Sequence, residues 1–255
     1  MQRIFNKGLF VIIPSFFILV TSFYLILTSS FLFDDWGSLL TANGSYGDSL
    51  ANWEEIWAIR PLSWVAIPAI INIFGNNAIL YFVLNSSLFL ASALILGLSL
   101  SRIFSRNLIF IFLMISTAPS ISSTVLLSPV NQLETTFSFI VIALLALMIS
   151  KSNLGPYSTL FAYFLFPTVA LFFYESLIGT LILPLLITYF INRKTLKFAL
   201  LGLVLSVSVV FIWQKIIVLE FVAQDFSRIK GLNLGAFVSY IYAVIPGHFF
   251  NLVAV

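Results

Sequence analysis

Two adjacent carboxylates, Asp34 and Asp35, end the first apolar run of this chain, in "SSFLFDDWGSLL". A carboxylate at such a place can take a proton from an attacking hydroxyl, and like charges this close tend to raise one pKa toward a value that suits a general base. Neighbouring side chains on a helix point about 100° apart, so the two have different tasks: one faces a ligand, the other caps the helix or pairs with a base. A hydrated helix end is the plainer alternative. Trp36 follows directly and is counted with the substrate-binding candidates.

Five further side chains stand out by type and surroundings. Arg60, in "NWEEIWAIRPLSW", directly precedes Pro61, a residue favoured in a first helical turn. Its guanidinium could hold a phosphate through two parallel bonds; snorkelling, or pairing with Glu54 or Glu55, is the structural alternative, and Glu54 joins the substrate-binding candidates. Glu134 follows "SPVNQ" at a helix start, where a carboxylate also favours the positive end of the macrodipole. Glu175 interrupts the otherwise uncharged "YSTLFAYFLFPTVALFFYESLIGTLILPLLITYF"; an ionisable group so placed faces protein or a watery cavity, unless it marks a sharp surface turn. Lys215, in "FIWQKIIVLEF", either snorkels outward or offers a positive charge to a buried phosphate. His248 is the single histidine, and with no cysteine in the chain it cannot build a metal site. Its reading is a hydrogen-bonding role, at most a contact to substrate.

The elements that position these residues are set by the solvent. Hydrophobic residues make up 61% of the 255 and charged ones 8%, against roughly 25% charged in a soluble domain. Apolar segments fall at 8–30, 61–75, 78–101, 108–127, 133–150, 157–174, 177–191, 198–219 and 234–255. Several approach or exceed the ~18 residues of a spanning helix, and no alternating-polarity pattern of an outer-membrane barrel is present. The expected fold is all-α: one integral membrane domain over 1–255, a polytopic bundle of about seven to eight transmembrane helices. Interfacial helices, anchored by Trp53, Trp57 and Trp64, occupy a first outer loop at 31–77. The run from Leu9 to Leu27 is longer than a signal-peptide core and lacks a small-residue cleavage site, which makes it a retained first helix.

Segment 61–75 would reach only about 22 Å as a helix, short of a ~30 Å hydrocarbon core, with Pro68 in its middle. If it does not span, Arg3, Lys7, Arg102, Arg106, Lys151, Arg193, Lys194 and Lys197 all fall on the cytoplasmic side, as positive-inside sorting requires. If it spans, the last six flip outward. The first topology is therefore expected, with a cytoplasmic N-terminus in a cytoplasmic (inner) membrane. It also puts all nine acidic residues on the outer side: Asp34, Asp35, Asp48, Glu54, Glu55, Glu134, Glu175, Glu220 and Asp225.

A first helix ending in an acidic pair, an outer loop with interfacial helices, and "RPL" leading into "FGNNAILYFVLNSSLFLASALIL" together resemble the GT-C superfamily of membrane glycosyltransferases. The similarity is closest to protein O-mannosyltransferases, their tetratricopeptide-linked relatives and lipid A aminoarabinose transferases. It is strongest over residues 10–100 and thins to patterns afterwards, carried by Glu134 and Glu175. The resemblance implies transfer of a sugar from a polyprenyl-phosphate donor to a glycan, lipid or protein acceptor at the outer face, in the making of the cell envelope or a polysaccharide. It implies that Asp34 or Asp35 acts as the base or orients the acceptor hydroxyl. The leaving phosphate needs a cation, for which Arg60 and Lys215 are candidates.

No phosphate loop, dinucleotide fingerprint, zinc-protease helix or glycine-serine nucleophile motif is found, in line with chemistry that consumes no nucleotide. No nucleic-acid partner is expected. No cofactor is demanded, although outer carboxylates could bind Mg²⁺ or Mn²⁺. Family members are usually longer, and this chain stops inside the apolar "HFFNLVAV", so a short or truncated, inactive relative is one alternative. A lipid-linked-saccharide polymerase is another. A transporter or flippase would instead call for mid-membrane charges and interrupted helices in two similar halves.

Overall fold

A computed structural model describes residues 39, 60–104, 130, 132–152 and 154–217. The segments expected at 8–30, 108–127 and 234–255, and the candidates Asp34, Asp35, Trp36, Glu54 and His248, lie outside the described residues. Within them the chain is all helical, with six α-helices: α1 (Pro61–Phe74), α2 (Ala78–Leu100), α3 (Leu133–Lys151), α4 (Pro156–Phe173), α5 (Ile182–Ile191) and α6 (Leu196–Ile212). Three-residue-per-turn helices precede α5 (Glu175–Leu181) and α6 (Arg193–Thr195), and a π-helical segment, Trp213–Ile217, follows α6.

Among the described residues four stretches are long and apolar enough to cross a membrane: Ala78–Leu100, Leu133–Lys151, Pro156–Phe173 and Arg193–Lys215. A shorter apolar stretch, Leu177–Ile191, is built differently. Glu175–Leu181 and α5 join end to end, and at 2.0 and 1.5 Å of rise per residue the pair is about 29 Å long. The apolar segment expected at 177–191 is helical throughout, its start wound more tightly: the backbone leaves α4 through an extended Tyr174 (φ −156°, ψ 103°) and enters the narrower helix. Large apolar side chains point outward from the bundle, Phe161, Val204 and Phe211 among them. A surface of that kind suits lipid.

The bundle has two chemically distinct ends. Arg102 at the end of α2 donates to the Ser150 carbonyl at the end of α3, and Asn192 donates to the Leu154 carbonyl ahead of α4 (3.4 Å). Tyr157 meets Phe198 edge-on across α4 and α6, with centroids 6.2 Å apart. Arg102, Lys151, Arg193, Lys194 and Lys197 therefore collect at one end. Glu134 opens α3 and Glu175 follows α4, so both lie at the other. α2 and α3 run in the same direction, α4 returns, α5 descends and α6 returns again.

Helix α1 spans only 14 residues and does not run between the two ends. Its first residues meet the end of α4, Ser63 donating to the Phe173 carbonyl at 2.7 Å. Its last turn meets the start of α2, with Tyr81 donating to the Gly75 carbonyl at 2.8 Å. Ile67 and Ile71 pack between these points against Tyr81, Val130, Leu133 and Leu39. Both termini of α1 lie at the acidic end. Pro68 is buried in mid-helix without ending it.

Small residues and single hydrogen bonds join the long helices, as expected where apolar side chains gain little by leaving lipid. Thr136 donates to Asn85 (2.8 Å) between α3 and α2, and Thr168 to Ser206 (3.0 Å) between α4 and α6. Tyr163 and Thr188 pair at 2.7 Å between α4 and α5. Gly202 lets α6 approach α4 so closely that a Cβ there would stand 2.5 Å from the Leu160 carbonyl oxygen.

Candidate functional site

Three of the sequence-selected residues meet at the acidic end, each from a different element. Arg60 stands at the N-cap of α1, where Pro61 opens the helix. Glu134 sits in the first turn of α3 and Glu175 begins the narrow helix before α5. Both carboxylates lie at positive helix ends, which favours them, and both converge on the one guanidinium. Arg60 Nε donates to Glu175 Oε2 and Nη2 to Glu175 Oε1, each at 2.7 Å, while Nη1 donates to Glu134 Oε1 at 2.7 Å. The Tyr174 ring lies under the guanidinium, 4.7 Å from Cζ to centroid.

The burial is uneven. Side-chain exposure is 16% for Arg60, 28% for Glu175 and 6% for Glu134. Burial by itself would weaken the hold of Arg60 on its proton. The Glu175 hydrogen bonds and the charges of Glu134 and Glu175 outweigh it and push the guanidinium well above its ordinary value. Arg60 is therefore a permanent cation.

The two carboxylates are not equivalent. Glu175 spends both oxygens on Arg60, whereas Glu134 Oε2 is buried with no hydrogen-bond partner among the described residues. Gln132, the N-cap of α3, makes no side-chain cap bond, and Glu134 stands in the first turn. Ser63, in the first turn of α1, donates to the Phe173 carbonyl at 2.7 Å.

The expectation that Arg60 offers its fork to a phosphate changes here. Glu175 already holds that fork, so a phosphate reaching Arg60 would have to displace a carboxylate. Lys215 lies at the same end, in the π-helical segment whose Trp213 ring is 6.0 Å from that of Phe172. Among the described residues no group of three or more His, Cys, Asp or Glu side chains stands together.

Sequence reasoning passed over Tyr174, Ser63 and Ser138. Tyr174 could have been found beside Glu175, and Ser138 lies one helical turn after Glu134, with an Oγ also buried and without a partner among the described residues. Ser63 carried no signal, because its bond to the end of α4 exists only through the packing of α1. In comparisons with known proteins, no family model, no curated protein and no solved structure matches this chain.

Proposed function

We propose that this chain is a membrane-embedded glycosyltransferase that moves a sugar from a polyprenyl-phosphate donor to an acceptor hydroxyl. The supporting observation is the Glu134–Arg60–Glu175 constellation at one end of an apolar helical bundle, opposite an end carrying five basic residues. A donor with a polyprenyl tail is soluble only in the bilayer, so the enzyme that uses it must keep its polar chemistry at a membrane boundary. A cluster of carboxylates ordered by one cation meets that requirement.

In this reading the acceptor oxygen attacks the anomeric carbon while the bond from that carbon to the phosphate oxygen breaks. The phosphate leaves with the bonding electron pair, and a carboxylate takes the acceptor proton. Asp34 or Asp35 is assigned that base. Arg60 orders Glu134 and Glu175 to hold hydroxyls of the transferred sugar, and Lys215 is the counter-charge for the leaving phosphate.

The test is sugar transfer by the purified chain in lipid nanodiscs, with radiolabelled polyprenyl-phosphate sugars as donors. Asp34→Asn or Asp35→Asn abolishes transfer while leaving folding intact; full activity in both single variants overturns the proposal. Sugar movement across vesicles lacking any acceptor would instead favour a transporter.

A further inference from the structure

The basic end of the bundle carries charge that no described carboxylate balances. Arg102, Lys151, Arg193, Lys194 and Lys197 are all exposed there, whereas Glu134 and Glu175 are held by Arg60 at the other end. Three of these bases fall close together, in the short turn Arg193–Thr195 and at the second position of α6. On local grounds they are misplaced. A helix start carries positive partial charge, so it favours acids and is weakened by cations. The first turn of α6 holds no acidic residue, and its N-cap, Thr195, makes no side-chain cap. The Thr195 hydroxyl donates to the Asn192 carbonyl instead, at 3.0 Å. Three side-chain cations thus meet a positive helix end, and an anion among them relieves the repulsion.

The surroundings indicate the kind of anion. The Arg193 guanidinium lies over the Tyr189 ring, 5.1 Å from Cζ to centroid, and Lys197 Nζ lies 5.2 Å from the centroid of Phe198. Tyr157, which meets Phe198 edge-on, is exposed, and so is Phe190 beside Tyr189. Exposed aromatic rings at the end of an apolar bundle suit the headgroup level of a bilayer. The cations also stand at the head of exposed apolar stripes. Lys197, Leu201 and Val204 share one face of α6 by their spacing, and Tyr157 and Phe161 share one face of α4; all five are exposed. The two helices pack side by side, Thr168 donating to Ser206. A molecule lying along them meets apolar side chains first and three cations at its end. Sorting of bases to one side of a membrane puts them in this loop, but does not set them on rings above lipid-facing stripes.

We infer that Arg193, Lys194 and Lys197 form a site for the phosphate headgroup of an anionic phospholipid, whose acyl chains lie along the exposed faces of α4 and α6. Arg193 offers a phosphate two parallel donors, and the lysines add point charges. The rings under Arg193 and Lys197 hold their stems at headgroup depth, so little freedom is lost on binding. A free anion or a nucleic acid would use the charges alone and leave the apolar stripes without a role. Each base near an anionic lipid strengthens binding about fivefold, so the three together give about 100-fold preference over a zwitterionic lipid.

The experiment titrates phosphatidylglycerol into the purified full chain in detergent and follows the first bound lipid by native mass spectrometry, with phosphatidylcholine as the zwitterionic comparison. Phosphatidylglycerol binds more tightly by about 100-fold, and Arg193→Gln, Lys194→Gln and Lys197→Gln combined abolish the preference. Lys197→Gln alone lowers it about fivefold and carries the test if the triple variant fails to fold. Lys151→Gln, which removes a base from the end of α3 at the same end of the bundle, leaves it unchanged. Equal binding of the two lipids, a preference that survives in the site variants, or an equal loss in Lys151→Gln overturns the inference. So does displacement of phosphatidylglycerol by inorganic phosphate or a short oligonucleotide at matching concentration, which would make the ligand a free anion or a nucleic acid. Sugar transfer is not read, so the outcome is independent of the transferase proposal, which concerns the opposite end.

Discussion

Arg60 and Glu175 are 115 positions apart in sequence and meet in a two-bond fork, Nε to Oε2 and Nη2 to Oε1, both at 2.7 Å. Through Nη1 the same guanidinium reaches Glu134, 74 positions away. One residue thereby fixes the start of α1 against the start of α3 and the break after α4. The consequence is a polar centre at the end of a bundle whose sides are apolar.

Removing the cation leaves two carboxylates facing each other, one of them buried. Arg60→Ala should destabilise the chain by about 3–5 kcal/mol, the cost of an uncompensated buried charge. Arg60→Lys keeps the charge but cannot form the fork, and should lie between the two. Because the guanidinium is held above its ordinary value, its contribution is fully present below that value. Raising the pH from about 8 to about 11 should not weaken it. Thermal unfolding of the three proteins across that range checks both statements; equal stability of the alanine variant and the parent would remove the triad from the list of structural contacts.

Gly202 decides how closely α6 approaches α4. A methyl group there would stand 2.5 Å from the Leu160 carbonyl oxygen, 2.9 Å from Tyr163 Cβ and 3.1 Å from the Phe164 nitrogen, two of them backbone atoms that cannot swing aside. Gly202→Ala should cost about 1–3 kcal/mol through forced separation of the helices. Gly179→Ala, where nothing lies within 4 Å of the new methyl, should be neutral or slightly stabilising. A comparison of the two variants by fluorescence-detected gel filtration after heating distinguishes them.

The chain has no cysteine, so single cysteines can report which side of the membrane each end occupies. Asn76→Cys lies in the exposed turn between α1 and α2 at the acidic end, and Lys194→Cys lies exposed at the basic end. In intact cells a membrane-impermeant maleimide should label the first and spare the second. Labelling of Lys194→Cys alone would invert the orientation drawn from positive-inside sorting.

Much of the helical layout was legible in the chain before folding. The apolar runs at 78–101, 133–150 and 157–174 correspond within a residue or so to α2, α3 and α4, because a backbone surrounded by lipid must satisfy its own hydrogen bonds and a helix does so locally. The short reach of 61–75 was legible for the same reason, since rise per residue depends on nothing beyond the segment. The narrow helix at Glu175 was not. No residue between Glu175 and Leu181 forbids an α-helical turn, and the tighter winding goes with the carboxylate's reach to Arg60 in a distant part of the chain.

The sequence by itself determined which residues are expensive to bury: Arg60, Glu134 and Glu175 stand out because charge in an apolar chain is rare and costs free energy wherever it lies. It also led to the expectation that Arg102, Lys151, Arg193, Lys194 and Lys197 lie at the end opposite Glu134 and Glu175, where the described helices place them. What only the tertiary structure decided is who neutralises whom. Arg60 could have been paired with neighbours a turn away, or left for a phosphate. The packing of α1 across the end of α3 and α4 instead brings two remote carboxylates within 2.7 Å. Pairing depends on distances in space, and those emerge only when the helices pack.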